Sequence, residues 1–308
     1  MSGPALPVLN PEAVRAAIGA IRGLDLRGSS IEEISELLTP MFRGYKAIAP
    51  KFQPGLRLFR TRICDKPLHI SELSYPPAPL TPLGRVNRPG SPILYCCTSR
   101  SAPFFESRPE IGQTVAIVWW ITTAPLHVNH VGYTASVFQT LGSNREQAGW
   151  GPEPARVPGE DINVQVAEFL AETFTRAVPK GSEYLYKLSV AIAEKLFLDD
   201  MFDGLLYPTV QMRANADNFA LKPRYADSHL QFLKAEFARI NGIDAVREFT
   251  FGIDVLDTAT ELTPEGTIVW KGHGDQWTLQ SQGEELYLKV EDGGWVARDS
   301  TGRLVDPD

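Results

Sequence analysis

The chain has 308 residues, with 30 Lys and Arg against 37 Asp and Glu, and so a formal net charge of −7. Hydrophobic residues at 43% and charged residues at 22% exclude a wholly disordered chain, a collagen and a coiled coil. The acidic balance argues against a broad nucleic-acid or anionic-membrane surface, and 25 Gly with 24 Pro predict many turns rather than long helices.

In chain order, Pro11 and Glu12 open a helical pattern with Val14, Ala17, Ile18 and Ile21 on one face. Ser30 and Glu33 have capping-box spacing before a stripe of Ile31, Ile34, Leu37, Leu38, Met41 and Phe42. Residues 1–50 are therefore expected to form a helical extension. Strands are expected at 56–63, 93–97 and 116–123, with a Pro- and Gly-dense ordered loop at 75–92. Residues 127–138 read as extended and 141–161 as an exposed polar connection. Helices are expected from about 162 to 177 and from 182, a strand at 203–210, and a helix at 229–240 ended by Asn241-Gly242. From Glu248 the periodicity falls to two, with Phe249, Phe251, Ile253 and Val255 alternating, then Leu286, Leu288 and Val290. Turn signals stand at Pro264-Glu265-Gly266, Asp292-Gly293 and Thr301-Gly302. The fold class expected is α+β, with domains at 1–50, 51–225 and 226–308 (a helix, then a β-hairpin-rich extension).

Three cysteines, Cys64, Cys96 and Cys97, are too few for a disulfide framework. With no basic-then-apolar start and no apolar run of 18 residues, the expected setting is the reducing cytoplasm, away from any membrane. Charge is uneven. Residues 51–108 hold nine Lys and Arg but only Asp65, Glu72 and Glu106 as acids, a local +6. That segment is either an anion site or a solvated face balancing acidic neighbours. No P-loop, GxGxxG, HExxH, CxxC or GxSxG is present. His127 and His130 on a strand point to opposite faces, so no metal site is expected. Cys96 and Cys97 read as core residues rather than nucleophiles.

Three segments remain. They are Leu58-Phe59-Arg60-Thr61-Arg62; Gly84-Arg85-Val86-Asn87 running through Leu94-Tyr95 to Glu106; and Asp203-Gly204-Leu205-Leu206-Tyr207-Pro208-Thr209, followed by Asn218-Phe219-Ala220-Leu221. In this order, and with eleven residues from Tyr95 to Glu106, they resemble the RES-domain family across about residues 55–223. Thr209 stands where that family has serine, and Val86 where a bulkier residue is often found. The resemblance implies a compact α+β fold similar to ADP-ribosyltransferase toxins, binding of NAD as substrate, and cleavage of its nicotinamide–ribose bond. Hydrolysis, phosphorolysis, transfer of ADP-ribose to a protein and an inactive binding module all stay open, as does a separate antitoxin-like partner. It nominates Glu106, Arg60 and Thr209 as catalytic, and Arg60, Arg85, Tyr95, Asn87 and Tyr207 as NAD-binding.

The residue types suit that chemistry. Guanidinium forks match a diphosphate, and a tyrosine face can stack on nicotinamide. Nicotinamide leaves as a neutral molecule, so one carboxylate near the oxocarbenium-like ribose suffices without a general acid. Each nominee also has a plain structural reading: Arg60 as a strand-end charge, Tyr95 as core, Glu106 as a residue opening a helix.

Overall fold

The computed structural model describes residues 7–145, 161–197, 201–244, 250–274, 276–279, 286–291, 294–298 and 304–305. It is a mixed α+β fold built on one long, twisted sheet. Two helices, α1 (Pro11–Arg22) and α2 (Ile31–Phe42), form the extension read from the sequence. Asn10 caps α1 by accepting from the backbone N–H of Glu12 and Ala13, and Ser30 and Glu33 close the expected capping box on α2.

The strands are β1 (Lys51–Phe52), β2 (Arg57–Ile63), β3 (Leu94–Cys97), β4 (Thr114–Thr122), β5 (Leu126–His130), β6 (Gly204–Pro208), β7 (Asp217–Leu221), β8 (Leu230–Asp244), β9 (Thr250–Leu262), β10 (Ile268–Trp270), β11 (Gln276–Leu279), β12 (Leu286–Glu291), β13 (Gly294–Arg298) and β14 (Leu304–Val305). They lie in the order β1-β5-β6-β7-β3-β2-β4-β8-β9-β11-β12-β13-β14, with β10 paired to β9. The β5–β6 pair is parallel. The remaining helices are α3 (Ala102–Ser107), α4 (Ala135–Leu141), α5 (Asp161–Phe174), α6 (Tyr186–Phe197) and α7 (Pro223–His229).

Strand alternation sorts the core into layers. Leu205 and Tyr207 of β6 face a cluster shared with Ile34, Leu38, Phe169, Phe174, Ile192 and neighbouring side chains of α1, α2, α5 and α6. Leu206, between them, faces a second cluster with Leu58, Leu94, Val118 and Phe219. A third joins Phe104 and Phe105 of α3 to Val115 and Ile117 of β4 and to Phe251, Ile253 and Val255 of β9. The extension is thus continuous with the main core. Arg88 adds an ion pair to Glu32 of α2 and another to Glu194 of α6.

Two expectations fail. His229 closes the short helix α7, and residues 230–240 are not a helix but most of β8, which pairs with β4 from Thr114↔Arg239 to Thr122↔Leu230 and with β9 on its other side. Leu, Gln, Lys, Ala and Glu favour helix, yet two full ladders outweigh that propensity. The extra residue Leu233 is absorbed by a bulge opposite Trp119 and Trp120, and Asn241 by another opposite β9. Residues 127–138 are not continuously extended either. β5 stops at His130, Gly132 turns the chain at φ +97, and α4 follows. A side chain at Gly132 would meet Pro208 at 2.8 Å, so only glycine fits that turn. The Pro264–Gly266 turn does join β9 to β10, closed by Gly266 N–H donating to Thr263 O at 2.9 Å. The other two turn signals, and residues 146–160 of the polar connection, lie outside the described residues. Among the described residues, no helix is long and apolar enough to cross a membrane.

Candidate active site

Five of the seven nominated side chains line a single cleft of about 550 Å³: Arg60, Arg85, Tyr95, Glu106 and Tyr207. Each arrives on a different element. Arg60 comes from β2, whose only register pair with β3 is Phe59↔Cys97. Past that pair, Arg60 Nη1 donates to the Tyr95 carbonyl at 3.1 Å, and its buried Nε has no hydrogen-bond partner. Burial works against this guanidinium's charge and lowers its pKa. An anion in the cleft would offset the cost of burying this charge.

Arg85 is held differently. Its Nη1 donates to the carbonyls of Phe174 and Arg176 at the end of α5, and the guanidinium lies 5.3 Å over the Tyr186 ring. A cation there also complements the negative end of the helix. The loop carrying it is locked by Tyr95, whose hydroxyl accepts from Val86 N–H at 3.1 Å and donates to Asn87 Oδ1 at 2.7 Å. Asn87 is buried and off the cleft wall. Its Nδ2 donates to the carbonyls of Pro82 and Arg88. Gly84 completes the motif by its bareness, because a Cβ there would sit 2.4 Å from Asn87 Oδ1 and 2.9 Å from the Tyr95 hydroxyl. Gly84→Ala should therefore displace the loop at a cost of about 1–3 kcal/mol. A lower thermal midpoint together with weaker ligand binding is the expected result; a midpoint equal to wild type would show that the loop is not under this constraint.

Glu106 stands on the short helix α3, whose Phe104 and Phe105 anchor it in the core. Glu106 is exposed to the cleft, although protein atoms crowd the neighbourhood of its carboxylate. That crowding raises its pKa, opposed by a hydrogen bond from Asn218 and by the charges of Arg85 and Arg108. Asn218 Nδ2 donates to Glu106 Oε1 at 3.0 Å, while Asn218 Oδ1 accepts from the Cys97 thiol at 2.9 Å. Burial pushes the Cys97 thiol well up, so it stays a protonated donor rather than a nucleophile. The relay Cys97–Asn218–Glu106 fixes which way the amide points and aims one carboxylate oxygen. Tyr207, buried beside Phe174 with ring centroids 5.1 Å apart, forms another part of the wall.

Thr209 is placed otherwise. It is fully buried, is not part of the cleft lining, and its hydroxyl has no hydrogen-bond partner. Conversely, sequence reasoning assigned no role to Asn218, Tyr186, Arg108 or Lys180, all of which line the cleft. Asn218 was within reach, since it opens the Asn218–Leu221 run of the third segment, and the β6–β7 ladder sets it opposite Tyr207. Tyr186 opens a helix whose apolar stripe carries no hint of a site. Among the described residues, no group of three or more His, Cys, Asp or Glu is arranged to hold a metal ion.

Comparison with curated proteins and with solved structures found no match. A model of the RES domain matches residues 57–237, more than half of the chain and every element that builds the cleft from β2 through β7. The protein belongs to the RES domain family.

Proposed function

We propose that the cleft binds NAD and breaks its nicotinamide–ribose bond. What carries this reading is the meeting of Arg60, Arg85, Tyr95, Glu106 and Tyr207 around one hollow, although they are spread over about 150 positions of chain. The surroundings are cationic as well, with Arg108 and Lys180 on the same wall. A diphosphate is the anion that two fixed guanidinium groups fit best. Arg60 brings a guanidinium whose burial disfavours its charge until an anion is near.

In this reading Glu106 faces the ribose. As the bond to the neutral leaving group lengthens, positive charge grows on the ribose ring, and a carboxylate held by Asn218 stabilises it without reorienting. The tyrosines supply flat walls for the pyridinium ring. No general acid is needed, because nicotinamide leaves as a neutral molecule. Purified protein incubated with NAD should release nicotinamide, followed by chromatography, with the ADP-ribose half recovered free, phosphorylated or on protein. Folded protein that neither binds NAD nor releases nicotinamide would end this reading.

A further inference from the structure

A second hollow, of about 660 Å³, adjoins the cleft and shares Arg85, Val178 and Tyr186 with it. Its walls come from the turn after α1, from α4, from the end of α5 and from the run into α6. Apolar side chains, Ile21, Leu24, Leu141 and Phe169 among them, alternate with hydroxyls such as Thr140 and Thr173. At the junction the Arg85 guanidinium is pinned to the two carbonyls at the end of α5 and over the Tyr186 ring.

A dinucleotide is two flat heterocycles on riboses, joined by a diphosphate. Two hollows of similar size meeting at a fixed cation reproduce that plan, and each falls within the range of about 300–1,000 Å³ usual for ligand sites. Apolar walls suit the face of a purine, and threonine hydroxyls suit ribose. We infer that this second hollow receives the adenosine end of the dinucleotide, with Arg85 holding the diphosphate at the junction. The inference rests on the NAD reading of the first cleft. It also gives the helical extension a task. Ile21, Arg22, Leu24, Asp25 and Leu26 precede the family's matched segment, yet they supply one wall. The extension would then be part of the substrate site rather than an appended unit.

The test compares NAD with nicotinamide mononucleotide, which has the same reacting bond and no adenylate. Wild type should favour NAD in kcat/KM by roughly tenfold or more, the worth of about 1.4 kcal/mol of added contact. Thr140→Trp on α4 and Thr173→Trp on α5 fill the hollow from separate helices at positions that are exposed and half-buried. Each should cut that preference about tenfold, mainly by raising the KM for NAD. AMP should inhibit the wild type competitively, a readout that needs neither variant to fold. Equal use of both nucleotides by wild type, no competition from AMP, or an undiminished preference in folded tryptophan variants would overturn the inference while leaving the cleft reading standing. Wild type that consumes neither nucleotide would remove both.

Discussion

Glu106→Gln should lower nicotinamide release by about 10²–10³-fold, the usual loss when a preorganised electrostatic stabiliser is removed, while leaving stability at pH 7 close to that of wild type, because the side chain is exposed to the cleft and solvent screens its charge. Crowding by protein atoms raises the Glu106 pKa despite Asn218 and the nearby arginines. A carboxyl whose pKa is raised on folding binds its proton more tightly in the native chain than in the unfolded one. Native stability therefore falls as pH rises from the unfolded value through the folded one, and above the folded value the penalty, small under that screening, is complete. Glutamine keeps the shape and the hydrogen bond from Asn218 but removes the charge. Denaturant titration beside a nicotinamide assay checks both halves. Loss of activity with a large loss of stability would mean that Glu106 merely holds α3 in place.

The same shift predicts the pH profile. If the carboxylate is the working form, the acid limb of kcat/KM lies above the ordinary glutamate range of about 4.3. Asn218→Ala removes the hydrogen bond that lowers the Glu106 pKa, so it should move that limb to still higher pH. A purely structural asparagine would change the amplitude of the profile and leave the limb where it was.

The sequence carried more of the site than of its surroundings. Arg60, Arg85, Tyr95 and Glu106 stood out because Gly84, Asn87 and the eleven-residue interval came with them. Gly84 and Asn87 now prove to be the reason Arg85 and Tyr95 hold their places. The +6 segment was legible as an excess but not as a purpose, and its cations divide between two surroundings. Arg60, Arg85 and Arg108 line the cleft, whereas Lys66, Arg88 and Arg100 pair with Asp257, Glu32 and Glu194, and Glu236, all outside the segment. Those partners lie up to 191 residues away, and no local pattern announces them. The strand β8 was illegible for a related reason. Its residues favour helix locally, and only β4 and β9, brought in from either side, make it a strand. Thr209 matched the family's hydroxyl position in sequence, yet it is fully buried rather than on the cleft wall.

The strand that the sequence concealed also carries the residue whose loss should cost most. Glu236 on β8 is 2% exposed and Arg100, just before α3, is 1% exposed, and the two form an ion pair. Lys234 Nζ adds a second contact at 2.6 Å, and Trp119 lies beneath both cations, 5.3 Å from Arg100 and 5.0 Å from Lys234. Burial alone would raise the Glu236 pKa, but Arg100 and Lys234 outweigh it and hold the carboxyl below its ordinary value. The stability it contributes is therefore present above the unfolded glutamate pKa and lost as pH falls through the folded one. Glu236→Leu removes the carboxylate that faces a buried guanidinium, and breaking such a pair costs about 3–5 kcal/mol. Lys234 is less enclosed and can turn to water. Replacing both partners, Arg100→Met with Glu236→Leu, removes the buried guanidinium together with its carboxylate, so the double variant should be more stable than either single one. Urea midpoints for the four proteins test this, and additive losses would show that the two residues act separately. Because Arg100 sits two residues ahead of the helix that presents Glu106, the single Glu236 variant should also lose activity at temperatures where it is still folded, and the double variant should recover part of it.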